Sequence, residues 1–353
     1  MFRKKSYVGL DLGHFAIKAV QLDKTPSGWR VTKSGSTPTP SDSIKESVVI
    51  DPELVAAAIK DLLRTMAVGA NAAFVAVAGG SVVVRNVRIP KMPEATLRKS
   101  IRYEASRYVP SSVEESYIEF EILGDLDDGQ MDVLIVAAPR DVVESRIRAC
   151  NLAGLEVEGV DVEPFAAYRS LVEADDLHDW SERTFAIVDL GAATANLSVI
   201  TRGQFAMTRS MPNGSQILTD ALKNYFKLSD EDAESGKGQL DLTLLLNDNP
   251  QENPPLRVVQ PHVDDLVREI RRSLNYFQSQ QGDSAKSVEG LLVFGGGAQM
   301  PGITEYIAKR LSLEAMSTGV FDNPKFIGAG DESRGLDLAV ASGLAMRAFA
   351  KAA

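Results

Sequence analysis

The segment YVGLDLGHFAIKAVQLD near the start of the chain returns in outline as FAIVDLGAATANLSVIT in its middle, with Asp11, Leu12 and Gly13 matched by Asp189, Leu190 and Gly191. The offset is 189 − 11 = 178 residues, close to half of the 353-residue chain. Each copy is an apolar strand ending in Asp-Leu-Gly, then a second apolar run, then a turn (Ser27 and Gly28; Arg202 and Gly203) before a third strand-like stretch. Self-similarity at one spacing marks an internal duplication. A three-stranded meander opening each half predicts an α/β fold in which each half builds one lobe of sheet and helices.

Helical periodicity fills the intervals. Asp51 and Pro52 fit an N-cap and the first helical position, and Leu54, Val55, Ala58, Ile59, Leu62 and Leu63 recur on one side until Gly69. A longer helix is predicted from Asp264 to Gln281, with Leu266, Val267, Ile270, Leu274 and Phe277 inward. Leu291 to Phe294 reads as a buried strand running into Gly295, Gly296 and Gly297, with a helix after Pro301. Two stretches read as insertions. Residues 86–160 form a small α/β unit whose basic helix turns Leu97, Ile101 and Ala105 inward and Arg98, Lys99, Arg102 and Arg107 outward. Residues 229–262 are rich in Asp, Glu, Asn, Gly and Pro, and Asn247 to Pro255 reads as a surface loop.

Composition removes several functions. Lys+Arg of 38 against Asp+Glu of 48 gives a net charge of −10, so nucleic-acid binding would need a local basic patch, and none is expected. Cys150 is the only cysteine, which excludes an intrachain disulfide, and it falls among apolar residues at helical spacing, as a core position does. His14, His178 and His262 are too far apart to suggest a zinc site. The longest apolar stretch, Ala72 to Val84, has 13 residues and contains Gly79, Gly80 and Ser81; a spanning helix needs ~20. At the start, Asp11 follows only four apolar residues, which is too short for a secretory signal and predicts a cytoplasmic chain.

A strand–turn–strand tip carrying Asp-x-Gly brings backbone N–H groups close to a phosphate because glycine lacks a Cβ, and its aspartate can hold water around Mg²⁺. One such tip is only a β-turn. Two in matched halves, followed by Gly295, Gly296 and Gly297 after a buried strand, make two facing phosphate clamps and a flat backbone surface for a base.

On these residues the chain resembles the actin-like ATPase superfamily over nearly its whole length. Asp11 to Lys18 is similar to the first phosphate motif, Asp189 to Asn196 to the second, and Gly295 to Gly297 to the adenosine motif. Within the superfamily, the subdomain at 86–160 and the runs Val160 to Pro164, Ala233 to Lys237 and Glu269 to Leu274 resemble the PilM family of type IV pilus assembly proteins. The resemblance implies a duplicated actin-like (ribonuclease H-like) α/β fold, two lobes around a nucleotide cleft. The first lobe takes residues 1–85, rejoined by 160–180 and 325–353, and 86–159 form an inserted subdomain. Residues 181–324 form the second lobe, with a smaller part at about 216–274.

The same resemblance implies ATP and Mg²⁺ as cofactors. Gly13 and Lys18 would meet the β- and γ-phosphates from one lobe, Gly191 and Thr194 from the other, and Asp11 and Asp189 would organise Mg²⁺ through water. Glu234, Lys237, Arg272 and Ser273 would surround ribose and adenine, with Gly295, Gly296 and Gly297 against the base and α-phosphate. Glu163 would orient an attacking water in what is at most a slow ATPase. His14 stands where relatives carry a small residue, and three roles stay open for it: contacting a phosphate, filling the γ-phosphate space, or facing solvent. Asn196 replaces an aspartate of some relatives. The implied partner is a PilN-like inner-membrane protein, held by its short cytoplasmic tail, alongside other pilus assembly proteins and self-association, with no nucleic acid and no direct membrane insertion. A small-molecule kinase and an FtsA-like filament former are the alternatives. The former would need a substrate cleft with a carboxylate base, the latter an amphipathic anchor helix that the ending AMRAFAKAA does not resemble.

Overall fold

In the computed structural model, which describes residues 5–109, 112–247, 252–280, 287–328 and 334–350, the first repeat folds as the antiparallel meander β1 (Tyr7–Leu12), β2 (Ala16–Thr25) and β3 (Gly28–Pro38). A two-residue pair, β4 (Ile44–Lys45) and β5 (Val48–Val49), leads into α1 (Pro52–Thr65). Asp51 caps α1 by accepting the Leu54 N–H, as an aspartate before proline at N1 should. Val55, Ile59, Leu62 and Leu63 face the core. Leu54 does not; Val55, one step of 100° round the helix, takes the inward position and leaves Leu54 exposed.

The next strand, β6 (Ala72–Val77), runs parallel to β1, and the chain then leaves the sheet for the insertion. There β7 (Val83–Pro90), α2 (Glu94–Ala105), β8 (Ser116–Asp125) and β9 (Gln130–Pro139) form a three-stranded antiparallel sheet in the order β7-β9-β8, with Leu97, Ile101 and Ala105 of α2 packed on one face. This sheet begins at Val83, earlier than the boundary at residue 86. The following α3 (Arg140–Leu152) does not close on that sheet alone: Ala149 and Cys150 are fully buried with Val55 and Ile59 of α1. Burial pushes the Cys150 thiol up to about 12, so it is an inert core group. The basic residues of α2 are engaged locally, Arg98 with Glu94 at 2.8 Å, Arg102 with the Val113 carbonyl at 2.7 Å, and Arg107 with Glu104 at 3.5 Å.

The strand β10 (Glu156–Val162) returns the chain beside β6, and α4 (Glu163–Tyr168) follows at once. The second repeat then builds its own meander, β11 (Thr184–Leu190), β12 (Ala195–Thr201) and β13 (Gln204–Met211). Four helices follow in this half: α5 (Gln216–Phe226), α6 (Asp230–Gly238), α7 (Pro254–Gln280) and α8 (Ile303–Leu311). Two parallel strands, β14 (Gly290–Phe294) and β15 (Glu314–Ser317), extend the sheet to β13-β12-β11-β14-β15. The first sheet ends with β16 (Phe326–Ile327), in the order β10-β6-β1-β2-β3-β16, and α9 (Ala339–Arg347) completes the described elements.

The long helix starts earlier than its periodicity suggests. Asn253 accepts the Leu256 N–H, and Pro254 and Pro255 occupy a first turn where a backbone donor is not needed, so the helix begins at Pro254 and carries Pro261 inside it. Leu256, Val259 and Val263 then extend the buried stripe of Leu266, Val267, Ile270 and Phe277. Of the expected loop from Asn247 to Pro255, residues 248–251 lie outside the described residues.

Two seams tie these elements together, the first within one lobe and the second between the halves. At the first, α9 lies against β1 and α4 at backbone contact. A Cβ on Gly9 would come within 2.1 Å of the Ala341 carbonyl oxygen, and one on Gly343 within 1.7 Å of the Ala166 carbonyl oxygen. Buried Asp161 pairs there with Arg169 at 3.1 Å and Arg347 at 2.9 Å. At the second, Phe205 of β13 packs edge-on to Phe165 (centroids 4.6 Å apart) and Tyr168 (5.3 Å) of α4, beside Val84 and Leu134 of the insertion. The insertion thus touches both halves, the first through α3 and the second through this aromatic cluster. Among the described residues no helix is long and apolar enough to cross a membrane.

Candidate functional site

The two Asp-Leu-Gly tips meet across one cleft of about 230 Å³ between the halves. Each tip needs its glycine for the same reason. A Cβ on Gly13 would sit 2.9 Å from the Ala16 carbonyl oxygen, and one on Gly191 would sit 2.8 Å from that of Thr194. The turn after β14 supplies the third side. Gly295 has φ +95°, and a Cβ there would lie 2.3 Å from Asp189 Oδ1, so the backbone must pass close to that carboxylate. A Cβ on Gly297 would lie 2.9 Å from the Leu190 carbonyl oxygen, while one on Gly296 would meet nothing within 4 Å.

The strand register places the charges. Lys18 lies directly across from Asp11, and its Nζ donates to Asp11 Oδ2 at 2.9 Å. As β2 is paired on both sides, Lys18 is no edge-strand lysine, and its side chain lines the cleft. Burial lowers the ammonium pKa, but Asp11, with help from Asp189 and Asp337, outweighs it and holds Lys18 above its ordinary value. The matched pair in the second repeat is Asp189 across from Asn196, which is neutral. Burial and the Asp11 charge push Asp189 up to about 7, against opposition from Lys18 and the Asn196 hydrogen bond. At the start of α4, Glu163 is pushed up to about 8 by burial and by Asp11 and Asp189, opposed by Arg146 and Lys18. His14 lines the cleft rather than facing solvent; burial and then Arg146 lower its pKa despite Asp11, so its imidazole is neutral at pH 7.

Excess negative charge in this cleft has a measurable consequence. A carboxyl raised in the folded state keeps a proton that the unfolded chain releases, so its contribution to stability is complete below the unfolded value and declines as pH rises toward the folded one. For Glu163 the window runs from 4.5 to about 8. Urea unfolding of the ligand-free chain in EDTA is expected to show a loss of stability from pH 5 to pH 8 that shrinks by about 2 kcal/mol in Glu163→Gln. Equal losses in both proteins would contradict the assignment.

Thirteen of the fifteen residues singled out from sequence line this cleft: Asp11, Gly13, His14, Lys18, Glu163, Asp189, Gly191, Thr194, Glu234, Lys237, Gly295, Gly296 and Gly297. Glu234 and Lys237 are no solvated pair. Lys237 is 7% exposed and donates to Glu234 Oε2 at 2.7 Å, and Thr219 donates to the same oxygen at 2.5 Å. Arg272 and Ser273 lie elsewhere. The apolar stripe of α7 carries Ser273 inward, where it is fully buried and donates to the Glu269 carbonyl at 2.8 Å. One step round, Arg272 points outward and pairs with Glu269 at 3.6 Å.

Arg146, Ser215, Gln216, Gln299 and Asp337 also line the cleft, unnoticed in the sequence. Ser215 and Gln216 get there through their backbone, donating to the Gly191 and Ala192 carbonyls at 2.9 Å each, which no side-chain pattern signals. Arg146 did carry a signal: it stands four residues after Val142 and four before Cys150, on the apolar side of α3. Among the described residues no group of three or more His, Cys, Asp or Glu could hold a metal directly. Asp11 and Asp189 instead suit an ion held through water: burial raises Asp189 and Glu163 most, and the carboxylate repulsion that adds to it is what a dication would relieve.

Comparison with known proteins agrees with this geometry. The chain is 26% identical to PilM in the PilM-PilN type IV pilus biogenesis complex, with a TM-score of 0.85 over 99% of this chain and 100% of that one. MreB 5 of Spiroplasma citri bound to AMPPNP shares the fold at a TM-score of 0.51 and 13% identity, covering 98% of this chain and 96% of its own. The cell division protein FtsA of Bacillus subtilis is 19% identical over 94% of this chain and 81% of its own length. A family model described as type IV pilus assembly protein PilM matches residues 9–349. With a duplicated actin-like fold and that match over nearly its whole length, the chain belongs to the PilM family of type IV pilus assembly proteins.

Proposed function

We propose that the chain binds ATP with Mg²⁺ between its two lobes and serves as a scaffold that docks the N-terminal cytoplasmic tail of a PilN-like inner-membrane protein. The observation that carries this is the meeting of both glycine tips, Lys18 and the Gly295–Gly297 turn in one cleft. The tips offer backbone N–H groups to the β- and γ-phosphates, with Lys18 and Thr194 beside them. Asp11 and Asp189 would hold Mg²⁺ through water, where it would neutralise phosphate charge. Glu234 and Lys237 stand toward the ribose, and the open face of Gly296 leaves room for the base. Glu163 would orient the attacking water in hydrolysis that is at most slow, which suits a scaffold whose bound nucleotide persists.

The likeness to PilM in the PilM-PilN complex supports the partner. The insertion packs on α1 through α3, and it is along this junction with the first lobe that an extended tail would dock and add main-chain hydrogen bonds. Recruitment by that tail would bring the chain to the cytoplasmic face of the inner membrane.

Calorimetry with ATP and Mg²⁺, and with a synthetic PilN-like N-terminal peptide, tests both halves of the proposal. Micromolar binding of each ligand is expected. Peptide binding without ATP binding would make the chain a nucleotide-free adaptor, and ATP binding without peptide binding would favour the kinase alternative.

A further inference from the structure

Arg146 is 2% exposed, yet it lines the cleft. Its Nη1 donates to the Ser47 carbonyl and, at 3.2 Å, to the Val142 carbonyl, while its buried Nε has no hydrogen-bond partner. A buried guanidinium with an unsatisfied donor is costly unless an anion completes it. The carboxylates nearest in charge terms, Glu163 and Asp11, do not do so. Burial moves Glu163 toward its neutral form, and the Asp11 carboxylate is bonded to Lys18.

Position identifies the missing anion. Arg146 interacts electrostatically with His14, Asp11 and Glu163, which mark the phosphate end of the cleft, whereas Glu234 and Lys237 belong to α6 of the other lobe. The Ser47 carbonyl that it holds belongs to a left-handed turn (Glu46 φ 47°, Ser47 φ 68°) beneath Gly79, itself a lining residue. Lys18, Thr194 and the glycine tips take the β- and γ-phosphates from the two hairpins, so an arginine from α3 adds a donor that only a nucleotide with a third phosphate would meet.

We propose that Arg146 is a further ligand of the terminal phosphate of a nucleoside triphosphate, added to Lys18, Thr194 and the tips, and the one by which this cleft tells a triphosphate from a diphosphate. The proposal rests on the nucleotide-binding reading given above. A guanidinium brings a planar set of donors to a phosphate that a lysine does not reproduce. It also comes from α3, the helix that leads out of the inserted sheet, so the residue that senses the third phosphate sits on the element joining the insertion to the first lobe.

Affinities for ATP and ADP, each with Mg²⁺, should be measured by calorimetry on the wild type, Arg146→Met and Arg146→Lys. The expected result is a fall in ATP affinity of about 10- to 100-fold, the value of a charge-assisted hydrogen bond to phosphate, with ADP affinity changed less than about threefold. Arg146→Lys should recover part of the loss. Parallel loss of both nucleotides would make Arg146 a packing residue and overturn the proposal, as would no loss of either.

A second measurement avoids the variants. In the wild type, hydrogen exchange at residues 45–49 and 140–150 should slow with ATP relative to ADP, and identical protection would again overturn the assignment. A wild type that binds neither nucleotide would sink the nucleotide reading itself, whereas ATP and ADP bound with no difference traceable to Arg146 would sink only this inference.

Discussion

Gly191→Asp is expected to abolish ATP binding while leaving the fold intact. A Cβ at this position meets the Thr194 carbonyl oxygen at 2.8 Å, so any side chain strains the tip and is driven toward the cleft. Aspartate adds a charge beside Asp189, whose own carboxyl is already pushed up to about 7 by burial and the Asp11 charge. A like charge roughly 4 Å from a phosphate costs about 4 kcal/mol at an effective dielectric constant of ~20, so ATP affinity should fall by about 100-fold or more. Gly191→Ala introduces the strain without the charge and should lose less. Calorimetry gives the affinities, and a thermal melt of each ligand-free variant checks the fold. Equal losses for alanine and aspartate would mean that the tip acts by shape alone, and retention of ATP by both would remove it from the phosphate site.

Gly343→Ala should be the most damaging single methyl that can be added at the seam between α9 and α4. The new Cβ would fall 1.7 Å from the Ala166 carbonyl oxygen and 2.5 Å from its carbonyl carbon, both backbone atoms of α4. Backbone cannot swing away as a side chain can, so α9 and α4 have to separate, at a cost of roughly 3 kcal/mol or more. Gly296→Ala is the contrast, since nothing lies within 4 Å of its Cβ, and should change stability by less than about 1 kcal/mol. Urea unfolding midpoints measure both. Similar small effects at the two sites would show that the seam relaxes more easily than its backbone contacts imply.

The duplication was legible because it rests on local chemistry. An Asp-x-Gly tip between two apolar runs declares a turn and a pair of strands, and its recurrence at Asp189 declares the second lobe. Residues carried by those tips, by the glycine turn after β14 or by the strand register therefore came to line one cleft. Arg272 and Ser273 did not, because the orientation of a helical residue depends on the phase of the whole helix, and the start of α7 was hidden behind Pro254 and Pro255. Arg146 was hidden for a different reason. Its position among Val142, Ala149 and Cys150 marks it as inward-facing, but only the packing of α3 on α1 reveals that the inward side borders the cleft. Glu234 and Lys237 look like an ordinary surface pair in sequence; the burial of Lys237 comes from neighbours distant in the chain.

The two meanders are related by the 178-residue shift, which superposes Asp11 on Asp189, Gly13 on Gly191 and Lys18 on Asn196. Geometrically the cleft is a pseudo-twofold object, and such an object by itself cannot tell one end of a ligand from the other. Electrically it is not twofold at all, because one half crosses its aspartate with an ammonium and the other with a neutral amide. The replaced cation leaves a permanent dipole across the dyad, positive toward the first half. This departure from symmetry between two copies of the same hairpin therefore favours one heading for an elongated anion entering the cleft, in concert with the groups that only one half supplies.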